Sequence, residues 1–156
     1  MRRTDREVSE LNDILSILDK CQVMRLGLCA DDKPYVVPLN FAYEAIGDRI
    51  LIYFHCASQG RKLEIIAKNN NVCFEADFMS EIVKADIACD WGTRFQSVIG
   101  EGRVFILEDE DEKIHALNLI MKRYGFEGMP QYKSQEMTNV KVLQIVVDII
   151  MGKRGR

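Results

Sequence analysis

No apolar run in the 156-residue chain approaches the roughly 20 residues needed to cross a bilayer. The N-terminus is charged and has no secretory apolar region behind it, so a cytoplasmic protein without membrane contact is expected. Nor is there an excess of positive charge. Lys and Arg total 21 against 24 Asp and Glu, a net charge of −3, which argues against a binder of nucleic-acid backbones. Only the ends are basic: Met1–Arg6 carries three arginines, and Lys153, Arg154 and Arg156 close the chain. With 2 histidines and 5 widely spaced cysteines (Cys21, Cys29, Cys56, Cys73, Cys89), none in a CxxC, no metal site is expected. Reduced, mostly buried thiols are the simple reading. There is no GxSxG, and neither histidine has a triad partner at a telling spacing. A Walker loop and a GxGxxG turn are also missing, since Gly100-Glu101-Gly102 falls inside a strand pattern.

What is present is an ordinary globular composition, 47% hydrophobic and 29% charged. The length is that of a single domain, residues 1–156. Ser9 is a plausible N-cap for a helix over 9–20, whose Leu11, Ile14, Leu15 and Leu18 make one stripe. Strands are predicted over 23–28, 35–45 and 49–55, joined by turns at 30–33 and 46–48 into an antiparallel meander. A helix over 61–70 and a strand over 72–78 follow, and 79–93 has no period and reads as a loop. The strand over 95–107 contains Gly100 and Gly102, the mark of a bulge, a bend or a place where something presses on the backbone. Residues 109–124 carry the stripe Ile114, Leu117, Met121 and Tyr124, with acids at the start, Lys122-Arg123 at the end and Gly125 as cap. A polar linker over 126–138 leads to a last strand over 140–151. Six strands with peripheral helices point to a closed or nearly closed β-barrel.

One segment stands out chemically. In Tyr53-Phe54-His55-Cys56-Ala57-Ser58-Gln59-Gly60-Arg61-Lys62 an apolar strand ends, a small-residue turn follows, and a helix opens with two cations. Cations there oppose the helix dipole unless an anion lies between them. Free backbone N–H groups, the Ser58 hydroxyl, Arg61 and Lys62 would together cradle a phosphate, with Gly60 admitting it close to the backbone. The plainer alternative is that both cations face water. His55 reads either as a hydrogen-bonded rim residue or as a group touching a cofactor or substrate and titrating near neutrality. Trp91, with Asp90 and Arg94, is a lid, a dimer contact or a plug for the barrel end.

The chain resembles the pyridoxamine-phosphate-oxidase-like flavin-binding split barrels, and among them the nitroimidazole-resistance (nitroimidazole reductase) branch. The resemblance rests on Met1-Arg2-Arg3 with Asp5-Arg6-Glu7, Val37-Pro38-Leu39-Asn40-Phe41, and Tyr53-Phe54-His55-Cys56-Ala57 with Gly60-Arg61-Lys62. It continues through Cys89-Asp90-Trp91-Gly92, Ser97-Val98-Ile99-Gly100, Gly102-Arg103 and Gly152-Lys153-Arg154. It implies a mainly β fold, a six-stranded antiparallel split β-barrel of Greek-key type with peripheral helices. It also implies a homodimer with FMN, or FAD in some members, at the subunit interface.

By similarity, Pro38, Leu39 and Asn40 would lie along the isoalloxazine and His55 near the ring. Ser58, Gly60, Arg61 and Lys62 would hold the phosphate, Cys56 would belong to the cofactor site, and Ser97 and Val98 would line the pocket. The family often has serine where this chain has Cys56, and its residue at 61 varies among basic types. The function implied is a flavin-dependent oxidoreductase passing electrons from a reduced nicotinamide to a small aromatic, nitroimidazole-type acceptor, with His55 as its catalytic residue. The alternatives are a non-catalytic flavin-binding module or redox sensor, a haem binder using His55, or a cofactor-free dimeric barrel.

Overall fold

In the computed structural model, which describes residues 4–155, alternating apolar residues build one antiparallel sheet of eight strands. Met1–Arg3 and Arg156, part of the charged ends, lie outside the described residues. The strands are β1 (Glu7–Val8), β2 (Met24–Ala30), β3 (Lys33–Leu39), β4 (Phe41–Ile46), β5 (Arg49–Ala57), β6 (Asn71–Val83), β7 (Gly92–Leu107) and β8 (Val140–Arg154). Their order is β3-β2-β6-β7-β8-β5-β4, with β1 paired to β8. This is a Greek-key arrangement in which the last strand runs between β7 and β5.

Six expected strands become eight because β1 is added at the edge of β8 and the strand expected over 35–45 divides at Asn40. Its first half pairs with β2 (Leu26↔Val37) and its second with β5 (Phe41↔Phe54). The three-strand meander is therefore interrupted. β3 and β4 are the unpaired edges of a split barrel, and the chain steps from one edge to the other through Asn40 alone.

The core explains the alternation. Met24, Leu26 and Leu28 of β2, Ile52 and Phe54 of β5, Phe74 of β6, Val98 and Val104 of β7, and Leu143 and Ile145 of β8 all point inward and are buried. Fully burying one such side chain is worth about 1.5–3 kcal/mol. Helix α1 (Leu11–Lys20) adds Ile14, Ile17 and Leu18 to this core. It begins two residues later than expected, and its N-cap is Glu10, with no side-chain capping bond, rather than Ser9.

Helix α2 (Arg61–Lys68) follows β5 and buries Ile65 and Ile66. Helix α3 (Glu110–Arg123) covers the outside of β4 and β5 with Ala116, Leu117 and Ile120, over Ala42, Tyr53 and Val142. Of the stripe expected for it only Leu117 is buried, and Tyr124 is exposed. The expected cap is present: Asp109 accepts from the Glu112 N–H at 3.0 Å, and Gly125 has φ 89°. A short helix α4 (Ser134–Met137) interrupts the polar linker.

Two expectations fail outside the core. Residues 79–93 are mostly a hairpin arm rather than a loop: β6 runs to Val83 and pairs with the start of β7, Val83 opposite Gly92. Trp91 stands on this arm, its Nε1–H donating to the Ala85 carbonyl at 2.6 Å. At 52% exposed it does not plug the barrel. Of the five cysteines, all free, only Cys21 and Cys56 are buried; Cys29, Cys73 and Cys89 are exposed.

The step at Asn40 is held from outside the sheet. The Tyr124 hydroxyl accepts the Phe41 N–H at 3.1 Å and donates to the Gln22 carbonyl at 2.5 Å. Beside it the Arg123 guanidinium stacks over Phe41, 4.3 Å from the ring centroid, and donates to the Leu18 and Cys21 carbonyls at the end of α1. Tyr124→Phe strands the Phe41 N–H and is expected to cost about 1–2 kcal/mol, read as a lower urea midpoint. A midpoint equal to wild type would show that the crossing holds itself.

Candidate functional site

The outer end of β5 and the start of α2 form one exposed corner. Along β5, alternation buries Phe54 and Cys56 and turns His55 and Ala57 outward. The following turn is pinned by the Ser58 N–H donating to the Asn139 carbonyl at 3.1 Å. Gly60 is the N-cap of α2 and provides no side-chain cap; its φ of 140° is open to glycine and unfavourable for other residues. A Cβ there would meet nothing within 4 Å, so the conformation, and not crowding, calls for glycine.

The Gly60 carbonyl accepts the Leu63 and Glu64 N–H groups at 2.9 and 3.3 Å. The N–H groups of Arg61 and Lys62 precede that first turn and point out of the helix. Ser58 and Arg61 are exposed and Lys62 is half-buried. Lys62 is felt at Cys56, whose thiol is pushed up by burial and partly brought back down by that ammonium.

The barrel's split opens onto the same corner. Phe41 pairs with Phe54, so the next residues outward, Asn40 and His55, are neighbours across the β4–β5 ladder. Both are exposed, as is Pro38 on the same outer face of β3. The structure thus brings together His55, Ser58, Gly60, Arg61 and Lys62, with Asn40 one step beyond the Phe41–Phe54 pair, while Pro38 stands on the face of β3 opposite the one on which Tyr35 meets Arg61. Leu39 is half-buried and packs against the core.

The remaining expected site residues are placed differently. The Cys56 side chain belongs to the core, so at the corner this residue offers only its backbone. Val98 is fully buried, and Ser97, half-buried, pairs with Asp77 and Lys153. Lys153 is near the far end of the 15-residue strand β8, whereas the corner sits at its beginning, where Val140 pairs with Ala57. Within one chain, Ser97 and the Ser58–Lys62 turn do not share a site.

Four contributors escape sequence reading. Asn139 holds the turn, Tyr124 and Arg123 hold the Asn40 step, and Tyr35 lies under Arg61, with 4.8 Å from the guanidinium carbon to the ring centroid. Only the last leaves a trace in the sequence, an aromatic early in the strand that precedes the step.

Chemically the corner offers hydroxyl, ammonium, guanidinium and helix N–H donors within one turn, a donor set suited to a phosphate dianion. An imidazole and a carboxamide stand beside it. A family model described as pyridoxamine 5'-phosphate oxidase matches residues 10–154 of this split barrel. The chain belongs to the pyridoxamine 5'-phosphate oxidase-like family.

A solved protein from Bacteroides thetaiotaomicron VPI-5482, described as a candidate 5-nitroimidazole antibiotic resistance protein, is 32% identical. The match covers 95% of this chain and 86% of that one, with a TM-score of 0.82. The flavocytochrome Anf3 from Azotobacter vinelandii shares the fold at 22% identity, over 100% of this chain and 72% of that one, with a TM-score of 0.82. So does an FAD binding protein from Mycobacterium smegmatis, at 22% identity over 96% and 98% of the two chains, with a TM-score of 0.65. No curated protein matches the chain.

Proposed function

We propose that the protein binds a flavin by its phosphate at the start of α2 and works as an oxidoreductase between a reduced nicotinamide and a small aromatic acceptor. The observation that carries this is the corner itself: an uncapped helix start with Ser58, Gly60, Arg61 and Lys62 in one exposed turn, directly after an outward-facing His55. Family membership and the 32% identity to a candidate nitroimidazole-resistance protein support it.

A bound flavin supplies the two-electron chemistry that links hydride donor to acceptor. The chain's own residues bind and orient. The Arg61 and Lys62 N–H groups, the Arg61 guanidinium, the Lys62 ammonium and the Ser58 hydroxyl take the phosphate. Pro38 and Asn40 border the ring, and Asn40 is fixed by the Tyr124 and Arg123 contacts behind it. His55 faces outward beside the place where an acceptor would lie and would orient it or pass it a proton.

Ser97 joins such a site only if it comes from a second copy, because in its own chain it lies at the other end of β8. A homodimer with the flavin between copies supplies it. The surface for that second copy is the outer face of β3, β7 and β8, where Val36, Ile99, Ile149 and Met151 are exposed.

The purified protein is expected to be yellow, and mixing it with reduced nicotinamide should bleach the flavin. In His55→Ala the flavin content should hold while acceptor turnover falls about a hundredfold. A preparation that is colourless and stays so after incubation with flavin would overturn the reading, and unchanged turnover would leave His55 as surface only.

A further inference from the structure

Trp91 has no part in the corner. It stands toward the other end of β8, where the arm meets the N-terminal turn Thr4–Arg6. Between turn and arm lies a cavity of about 570 Å³, the size of a small-ligand site, about 300–1,000 Å³. Val83, Trp91 and Phe95 give it apolar wall, and Arg6 and Asp90 give it one charge of each sign. Both rings are fixed before anything binds. The indole N–H is held by the Ala85 carbonyl, and the backbone before it is closed into one turn by Asp90 N–H to Ile87 and Trp91 N–H to Ala88, at 3.0 and 3.3 Å. The Phe95 ring lies against Gly155, where a Cβ would overlap it, and the Lys153 ammonium stands 5.5 Å from its centroid. Rings held in place lose little freedom when a ligand stacks on them.

The two charges are free for a ligand. Arg94, also on the arm, is taken up by Glu81 at 3.0 Å, whereas Asp90 has no ion-pair partner among the described residues. The Asp5 carboxylate stands 3.9 Å from the Arg6 Nε, beyond hydrogen-bonding reach, and that nitrogen is buried with no hydrogen-bond partner. A buried donor left unpaired calls for an acceptor.

We infer that this cavity binds a free aromatic amino acid. The ring lies on Trp91 and Phe95, the carboxylate meets the Arg6 guanidinium, and the ammonium meets Asp90. A neutral aromatic would leave both charges unanswered, and an aromatic acid would bring a second carboxylate to Asp90. A zwitterion satisfies both, and the site needs no flavin.

Trp91 is the chain's 1 tryptophan, so its emission, excited where phenylalanine does not absorb, reports the cavity directly. Titration of the purified protein with L-phenylalanine should change that emission saturably. 3-Phenylpropionate, which lacks the ammonium, and phenethylamine, which lacks the carboxylate, should each bind about tenfold more weakly, the worth of one charge-assisted contact. Arg6→Gln should lower phenylalanine affinity to that of phenethylamine without changing the latter, and Asp90→Asn should lower it to that of 3-phenylpropionate. Should a variant fail to fold, the ranking of the three compounds on wild type decides. No saturable change with phenylalanine, or equal affinity for all three, overturns the inference. Displacement of phenylalanine by added FMN also overturns it, because the cavity would then belong to the flavin, whereas phenylalanine binding in a protein that takes up no flavin would leave it standing alone.

Discussion

Protein carrying alanine at both Arg61 and Lys62 should emerge from gel filtration without flavin. Charge-assisted hydrogen bonds are worth about 1.5–3 kcal/mol each. Because Arg61 is exposed and Lys62 half-buried, solvent screening brings the pair to about 3 kcal/mol, or roughly a hundredfold in affinity. The loss should be one of retention and not of folding: Ile65 and Ile66, which anchor α2, are untouched. An unchanged circular dichroism spectrum and melting temperature, together with free flavin in the small-molecule fraction, is the expected result. Full flavin content in the double variant would remove the α2 start as the phosphate site.

The largest stability effect is expected at Gly102. A Cβ there would overlap the Val146 carbonyl oxygen and lie 3.0 Å from Ile145 Cγ2. The obstacle is backbone in the adjoining strand, which cannot rotate away. The β7–β8 register shifts between Glu101 and Gly102, so the close approach belongs to a bulge that bends both strands. Gly100, two residues earlier, lets the Phe74 ring and the Ile149 carbonyl come equally near. Gly102→Ala should cost about 3 kcal/mol, which at about 2–4 °C per kcal/mol lowers the melting temperature by about 10 °C. Gly92→Ala is the control, since a Cβ there meets nothing within 4 Å. Equal melts for the two variants would mean that the bulge relaxes freely.

The Gly100–Gly102 bend was legible because glycine weakens a strand, so its place inside an apolar alternation marks a bulge or a close approach. The corner was legible for a related reason: His55 to Lys62 are consecutive, so strand end, turn and helix start are all local. The cap and acidic opening of α3 are local too. The division at Asn40 was hidden. Tyr35, Val37, Leu39, Phe41 and Tyr43 all pack against or within one core, so alternation runs unbroken across a change of partner strand.

The arm over 79–93 was hidden for the opposite reason. Met79, Ile82, Ile87 and Trp91 are all exposed, and a ladder wet on both faces has no period to read. Ser97, expected to line the pocket, stands apart from the phosphate turn because the two pair with opposite ends of β8, a separation that a resemblance in short blocks does not record. The tie between Tyr124 and Phe41 joins residues 83 positions apart and leaves no mark in the sequence.

The position of β8 has a consequence for biosynthesis. It is hydrogen-bonded to β7 along one side and to β5 and β1 along the other, yet of the eight strands it leaves the ribosome after the other seven. Until Arg154 clears the exit tunnel, the nascent chain holds two separate strand groups with unsatisfied borders and an uncovered apolar interior. Such borders invite pairing with other chains, so closure must wait for translation to deliver Val140–Arg154 and then proceed through contacts distant in sequence, a slow route. How long those borders stay open during synthesis is thus set by topology, whatever the stability of the finished barrel.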